Sequence, residues 1–206
     1  MEPSSTYLWR LTGEAFALCY RAARGYEIHL TTEASLILSG EPVADLNYAI
    51  LDAGPKVAER LREFCQVIRV RKLPIIALIT DQASEQLTPI AIDLGFRYAV
   101  QIPLMTYRPR AVNEDTGPFQ VGRVEDLQDL KEMNYIIASG FSMPGESVVR
   151  TFGPEFLDGP GVDAFLAWRD GIAVSTVQTT RTGPTVGIWA MATPPEHQRQ
   201  GAGRVL

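Results

Sequence analysis

This chain has little cysteine and little histidine: two of each in 206 residues. Two cysteines exclude a disulfide-stapled scaffold, and neither Cys19 nor Cys65 has a zinc-type partner at close spacing. Both lie in apolar, helix-patterned surroundings and read as small buried hydrophobes of a reducing compartment. His29 falls on the outward side of a predicted strand and His197 in a turn, so no metal site is expected. No apolar run approaches the roughly 18 residues of a membrane span. The polar start Met1-Glu2-Pro3-Ser4-Ser5 has no signal-peptide character, so a cytoplasmic location is expected. Basic charge is also short, with 19 Lys and Arg against 24 Asp and Glu, a net charge of −5. That balance argues against a nucleic-acid surface.

What is present suits a globular protein. Hydrophobic residues make up 46% and charged residues 21%, enough apolar material for one large core or two small ones. The polar, proline-bracketed stretch 110–118 reads as a linker between a unit over 1–109 and another over 119–206. Eleven basic and 12 acidic residues precede Arg110, whereas 8 and 12 lie from Arg110 onward, so the acidic excess sits in the second unit.

In the first unit, helical spacing runs from Leu8 to Arg24 and again from Lys56 to Lys72. Strand patterns cover Glu27–Thr31, Ser35–Leu38, Leu46–Leu51 and Ile75–Ile79. A helix near Ser84–Leu94 ends at Gly95, a residue suited to the left-handed position after a helix, and strand material is expected from Phe96 to Tyr107. In the second unit, a strand over Phe119–Val124 leads to a helix ending near Ser139. Glu125 and Asp126 read as its capping cluster, not as a catalytic pair. A turn over Phe141–Gly145 and a short helix over Glu146–Phe152 follow. Asp170-Gly171 between Ala164–Arg169 and Ile172–Thr179 is a strong hairpin signal. Thr185–Ala192 is the last strand, and Trp168 and Trp189 have the spacing of core residues. Both units run helix, three strands, helix, which suggests a duplication.

The last stretch carries the chemistry. From Ala192 through Gln198-Arg199-Gln200-Gly201-Ala202-Gly203-Arg204 a strand gives way to a glycine turn and a helix start. Such a junction presents backbone N–H groups with no intrahelical partner, and glycine lets a diphosphate approach them. It fits neither a dinucleotide fingerprint, for want of a third glycine, nor a phosphate loop, for want of Gly-Lys-Ser/Thr. Glu196 and His197 lie in the turn and read as surface groups.

Gln198, Gly201 and Gly203, with Pro195 three residues ahead, and the hairpin Arg169-Asp170-Gly171-Ile172-Ala173-Val174 resemble the GNAT acetyltransferase superfamily over Phe119–Leu206. More faintly, Leu94-Gly95-Phe96-Arg97 resembles the superfamily's late Leu-Gly-Phe step. The first unit, however, has Asp52-Ala53-Gly54-Pro55-Lys56 where the glycine turn should be. The resemblance implies an α/β fold of two mixed sheets flanked by helices, in tandem. The first copy is expected to be degenerate. The second is expected to be incomplete, because the superfamily continues with further strands beyond the point where Leu206 ends this sequence.

The resemblance also implies a bulge in the last strand that frees backbone groups of Met191, Ala192 and Thr193 for the pantetheine arm of acetyl-CoA or another acyl-CoA. The diphosphate would rest on Gln198, Arg199, Gln200, Gly201, Ala202, Gly203 and Arg204, and Phe141, Ser142 and Met143 would contact the acceptor. The implied reaction is direct attack of a primary amine, on a small molecule or peptide, on the thioester. No catalytic base is identified on the last strand. The competing reading, prompted by the absent base and the degenerate first copy, is a non-catalytic CoA-binding or dimerisation module, a homodimer being one form of it; a third is an unstable fragment whose unpaired last strand is an exposed edge prone to association.

Overall fold

The computed structural model describes residues 4–108 and 115–206. Residues 110–114 of the predicted linker fall outside those bounds, and 115–118 form a turn without regular structure. The element order is α1 (Ser5–Tyr20), β1 (Glu27–Leu30), β2 (Ala34–Leu38), β3 (Asn47–Leu51), α2 (Val57–Arg71), β4 (Ile76–Ile79) and α3 (Asp81–Asp93). Then come β5 (Gln120–Arg123), α4 (Leu127–Gly140), α5 (Gly145–Thr151), β6 (Val162–Arg169), β7 (Ile172–Thr182), β8 (Thr185–Ala192) and α6 (Ala202–Val205). The architecture is α/β, with two four-stranded sheets ordered β1-β2-β3-β4 and β5-β6-β7-β8.

The first sheet is mixed: β1, β2 and β3 are antiparallel neighbours and β3 pairs parallel with β4. Helix α2 makes the crossover from β3 to β4. Such a sheet is expected to be covered on both faces, and β2 is buried at every position. Leu36, Leu38, Leu51, Leu61 and Leu87 gather under α2 and α3, each removal from water contributing about 2 kcal/mol. The second sheet departs from the mixed arrangement expected: among the described residues all its strands are antiparallel. Its core packs Leu130, Met133, Ile136 and Ile137 of α4 against Ala164 and Leu166 of β6.

Helix α1 serves both sheets. It packs on β2 and on β7. Ala17, Cys19 and Tyr20 join Ile37, Leu46 and Ile50 of the first half, while Leu18 and Ala22 lie against the second core. Across this seam Arg150 grips Glu41 with two hydrogen bonds, Nε to Oε1 at 2.8 Å and Nη2 to Oε2 at 2.7 Å. Arg150 thereby holds the Glu41 carboxyl below its ordinary range.

One expected strand does not form. Beyond Gly95, which is left-handed at φ 97° as the helix stop requires, residues 96–108 have no regular structure. Phe96 packs on the first core, but Tyr98, Val100, Ile102, Met105 and Tyr107 are exposed. Period-two alternation supplies a strand with one apolar face; it does not supply a neighbour to pair with.

Candidate functional site

The hairpin β6–β7 turns at Asp170 (φ 53°) and Gly171 (φ 77°), the two left-handed residues a two-residue turn needs. The hairpin brings β7 beside β8, whose bounds match the sequence expectation. Along that pair the register is regular from Thr182↔Thr185 to Gln178↔Trp189, then slips: Thr176 faces Ala192. Three steps on β8 therefore match two on β7, so Ala190 and Met191 form a bulge. Ala190 takes φ 45° to make it. On its other side β8 has no partner strand among the described residues.

The bulge lies one residue upstream of the position expected. The ladder resumes at Ala192, and side chains claim the next two carbonyls. Ser175 Oγ donates to the Ala192 oxygen at 2.8 Å and lies 2.8 Å from Thr193 Oγ1, and Gln198 Nε2 donates to the Thr193 oxygen at 3.0 Å. The bulge therefore sets Ala190 and Met191 out of register, while the carbonyls of Ala192 and Thr193 are engaged by side chains.

After β8 a short 3-10 turn over Pro195–His197 redirects the chain. Arg199 (φ 59°) and Gly201 (φ 91°) are both left-handed and roll it into α6. Gln200 Nε2 ties the turn to the Glu196 carbonyl at 3.1 Å. Ala202 is buried with Phe119, Val174 and Val205, which pins the helix start to β7. Arg204 N–H donates back to the Gly201 carbonyl. The N–H groups of Arg199, Gln200, Gly201, Ala202 and Gly203 have no acceptor among the described residues. Gly203 faces the strand end: a Cβ there would stand 3.7 Å from Thr193 Oγ1 and 3.9 Å from Met191 Sδ. A row of donors without acceptors among the described residues thus follows the bulged strand, with Gly203 close to the end of that strand.

The loop over 141–143 reaches the same strand end. A Cβ on Gly140, the last residue of α4, would approach Ala192 Cβ to 3.0 Å, so helix and strand touch there. Met143 packs inward while Phe141 and Ser142 are exposed, Ser142 with φ 54°. Sequence reasoning missed two residues. Arg169, at the hairpin tip, donates from Nη1 to Gln200 Oε1 at 2.6 Å, and its place beside Asp170-Gly171 could have marked it. Ser175, buried beneath the strand end, gave no signal.

Neither thiol is placed for covalent chemistry. Burial pushes the Cys19 thiol up to about 12 and raises that of Cys65, and only a thiolate attacks effectively. His29 is hydrogen-bonded to Glu27 at 2.8 Å on the far sheet. Strand β8 carries no ionisable side chain. Among the described residues no helix is long and apolar enough to cross a membrane.

No protein-family model and no curated protein sequence matches this chain. Solved structures do. A GCN5-related N-acetyltransferase from Kribbella flavida superposes with a TM-score of 0.61 at 18% identity, over 95% of this chain and 76% of that one. A GCN5-related N-acetyltransferase-like protein from Streptococcus suis gives 0.45 at 15% identity, covering 98% and 82%. A functionally unknown conserved protein from Staphylococcus epidermidis gives 0.46 at 14%, covering 88% and 76%. The Kribbella likeness establishes a shared fold; fold by itself does not assign chemistry.

Proposed function

We propose that the second half binds an acyl-CoA and passes its acyl group to a primary amine, the first half being a related unit that binds no cofactor. The observation that carries this reading is the bulge at Ala190–Met191 on a strand edge that has no partner strand among the described residues, followed in the chain by the N–H groups of Arg199 to Gly203, which have no acceptor among them either. A pantetheine arm has amide groups that can pair with the out-of-register backbone as a strand would. A diphosphate meets a row of donors with no side chain at Gly203 to obstruct it. Arg199 and Arg204 add positive charge at the rim, and Gln198 braces the turn through the Thr193 carbonyl.

The chemistry follows from that placement. The uncharged amine nitrogen attacks the thioester carbonyl carbon beside the bulge, and the resulting oxyanion is stabilised by backbone N–H. Collapse forms the amide, expels the CoA thiolate and releases the proton from nitrogen. Transfer is direct, because the only two thiols are buried and held protonated. A CoA-binding module without turnover is favoured by one fact, the lack of any ionisable group on β8.

Calorimetry with acetyl-CoA and CoA tests the reading. Saturable binding is expected, and Gly203→Glu should weaken it about a hundredfold, or roughly 2.7 kcal/mol, because the carboxylate would fill the gap and repel the diphosphate. Gly203 is neither left-handed nor crowded, so the variant should keep its melting temperature. Equal affinity in the two proteins would refute the assignment. Thiol release in the presence of amines distinguishes transferase from binding module.

A further inference from the structure

Helix α1 and the hairpin of β1 and β2 border a cavity of about 330 Å³ that shares no residue with the proposed cofactor junction. It is lined by Arg10 and Glu14 of α1, Leu30 of β1, Thr31 and Thr32 of the connecting turn, and Ser35 of β2. That volume falls at the lower end of the range for small-molecule sites, about 300 to 1,000 Å³. Its walls are fixed by the local structure. Thr31 Oγ1 donates to the Ala34 carbonyl at 2.8 Å and accepts from the Ala34 N–H at 3.0 Å, which locks the turn. Gly13 lets α1 lie directly on β2, for a Cβ there would stand 2.5 Å from Ser35 Oγ.

The polar groups of this cavity are unspent. Ser35 is only 7% exposed, yet its hydroxyl has no hydrogen-bond partner among the described residues. A buried hydroxyl left so is costly, and a ligand that pairs with it removes the cost. Arg10 Nε stands 3.6 Å from Glu14 Oε1, too far for a hydrogen bond. Neither side chain makes a hydrogen bond among the described residues; Arg10 is steadied by the Tyr7 ring, with Cζ 5.4 Å from its centroid. Leu30 is exposed and supplies an uncovered apolar wall. A lone anion would meet Glu14, and a lone cation would meet Arg10. A molecule with both charges on neighbouring groups exchanges one long contact for two charge-assisted hydrogen bonds.

We propose that this cavity binds a free α-amino acid with an apolar side chain. The Arg10 guanidinium and the Ser35 hydroxyl donate to its carboxylate, the Glu14 carboxylate accepts from its ammonium, and its side chain covers Leu30. The site belongs to the first half alone and stands independently of the acyl-transfer reading. It gives the half that binds no cofactor a ligand of its own.

Calorimetry of the full chain tests this with L-leucine, L-leucinamide, which lacks the carboxylate, and N-acetyl-L-leucine, which lacks the ammonium. Saturable binding of leucine is expected, with each analogue about tenfold weaker or more. Arg10→Gln and Glu14→Gln should each lower leucine affinity about tenfold, and Ser35→Ala about fivefold. Arg10 and Glu14 are partly exposed on one face of α1, so their variants should keep the parent's melting temperature. They remain decisive if Ser35→Ala disturbs the packing against Gly13. No binding of leucine, analogues that bind as tightly as leucine, or unchanged affinity in both charge variants would overturn the proposal. Displacement of leucine by CoA would overturn it too, since it would put the amino acid at the junction of the second half.

Discussion

Strand β3 of the first half and strand β8 of the second begin alike and end differently. Each pairs antiparallel with the strand before it and each runs through a turn into a helix. Strand β3 is paired on both sides, with unbroken register to β2 and β4. Its turn is sealed from within. Glu33, from the loop between β1 and β2, takes the Asp52 N–H on its carbonyl and the Lys56 N–H on its carboxylate. Gly54 lies against that side chain, and Pro55 has no N–H to offer. Asp52 is buried and bound to Thr80 Oγ1 at 2.8 Å, tying the ends of β3 and β4 together. Among the described residues strand β8 is paired on one side, bulged, and followed by a turn whose donors are unanswered. The equivalent hairpin there delivers the guanidinium of Arg169, which bonds Gln200 Oε1 and has the Asp170 carboxylate 3.8 Å from its Nε. One junction carries its own anion; the other presents the charge and the donors to take one from outside.

That contrast can be broken at its ends. The largest effect is expected at Gly54, where a Cβ would stand 2.8 Å from Glu33 Cβ and run into the carboxylate. Gly54→Ala should cost about 2 kcal/mol, read as a lower melting temperature, and Glu33→Gly in the same chain should restore most of it. Additive losses would mean that the two residues do not seal the turn together. Gly203→Ala, by contrast, should leave stability within about 0.5 kcal/mol.

Next in size, Arg169→Glu gives the second junction the carboxylate that the first already holds. CoA affinity should fall about tenfold, close to 1.4 kcal/mol, while Arg169→Gln should fall less. Glu33→Gln, which keeps the shape and removes the charge at the start of α2, should cost roughly 0.5 kcal/mol and confer no CoA affinity on the first half.

The smallest effect concerns the seam that joins the halves. Because Arg150 lowers the Glu41 pKa in the folded protein from its ordinary 4.5, the pair contributes stability above that value. The contribution is lost as pH falls through the depressed one. Arg150→Gln should therefore be less stable than the parent near neutral pH and converge with it in acid. Parallel stability curves across pH 6 to 3 would contradict this linkage.

Much of the frame could be read from residues alone. Asp170-Gly171 specified its turn because few residues accept two successive left-handed conformations, and the bounds of β8 followed from the turn chemistry on either side of it. The glycines at 201 and 203 fall at the junction between β8 and α6, Gly201 left-handed at φ 91°. What sequence could not give was who meets whom. The segment 96–108 has a strand's alternation and no strand, since pairing is a property of two segments. Helix α1 has apolar residues around most of its surface, and only the structure shows that two sheets claim them. Glu33, Arg169 and Ser175 act through contacts with residues 17 to 31 positions away, which no local pattern records. The position of the bulge, at Ala190–Met191, is a matter of the register between β7 and β8.

The most direct test of an open second junction beside a sealed first one is a backbone-amide NMR titration of the full chain with CoA. Large shifts confined to Ala190–Met191 and Arg199–Arg204, with Asp52–Lys56 unmoved, are the predicted result. Shifts at Asp52–Lys56, or none at Arg199–Arg204 under saturating CoA, would contradict it.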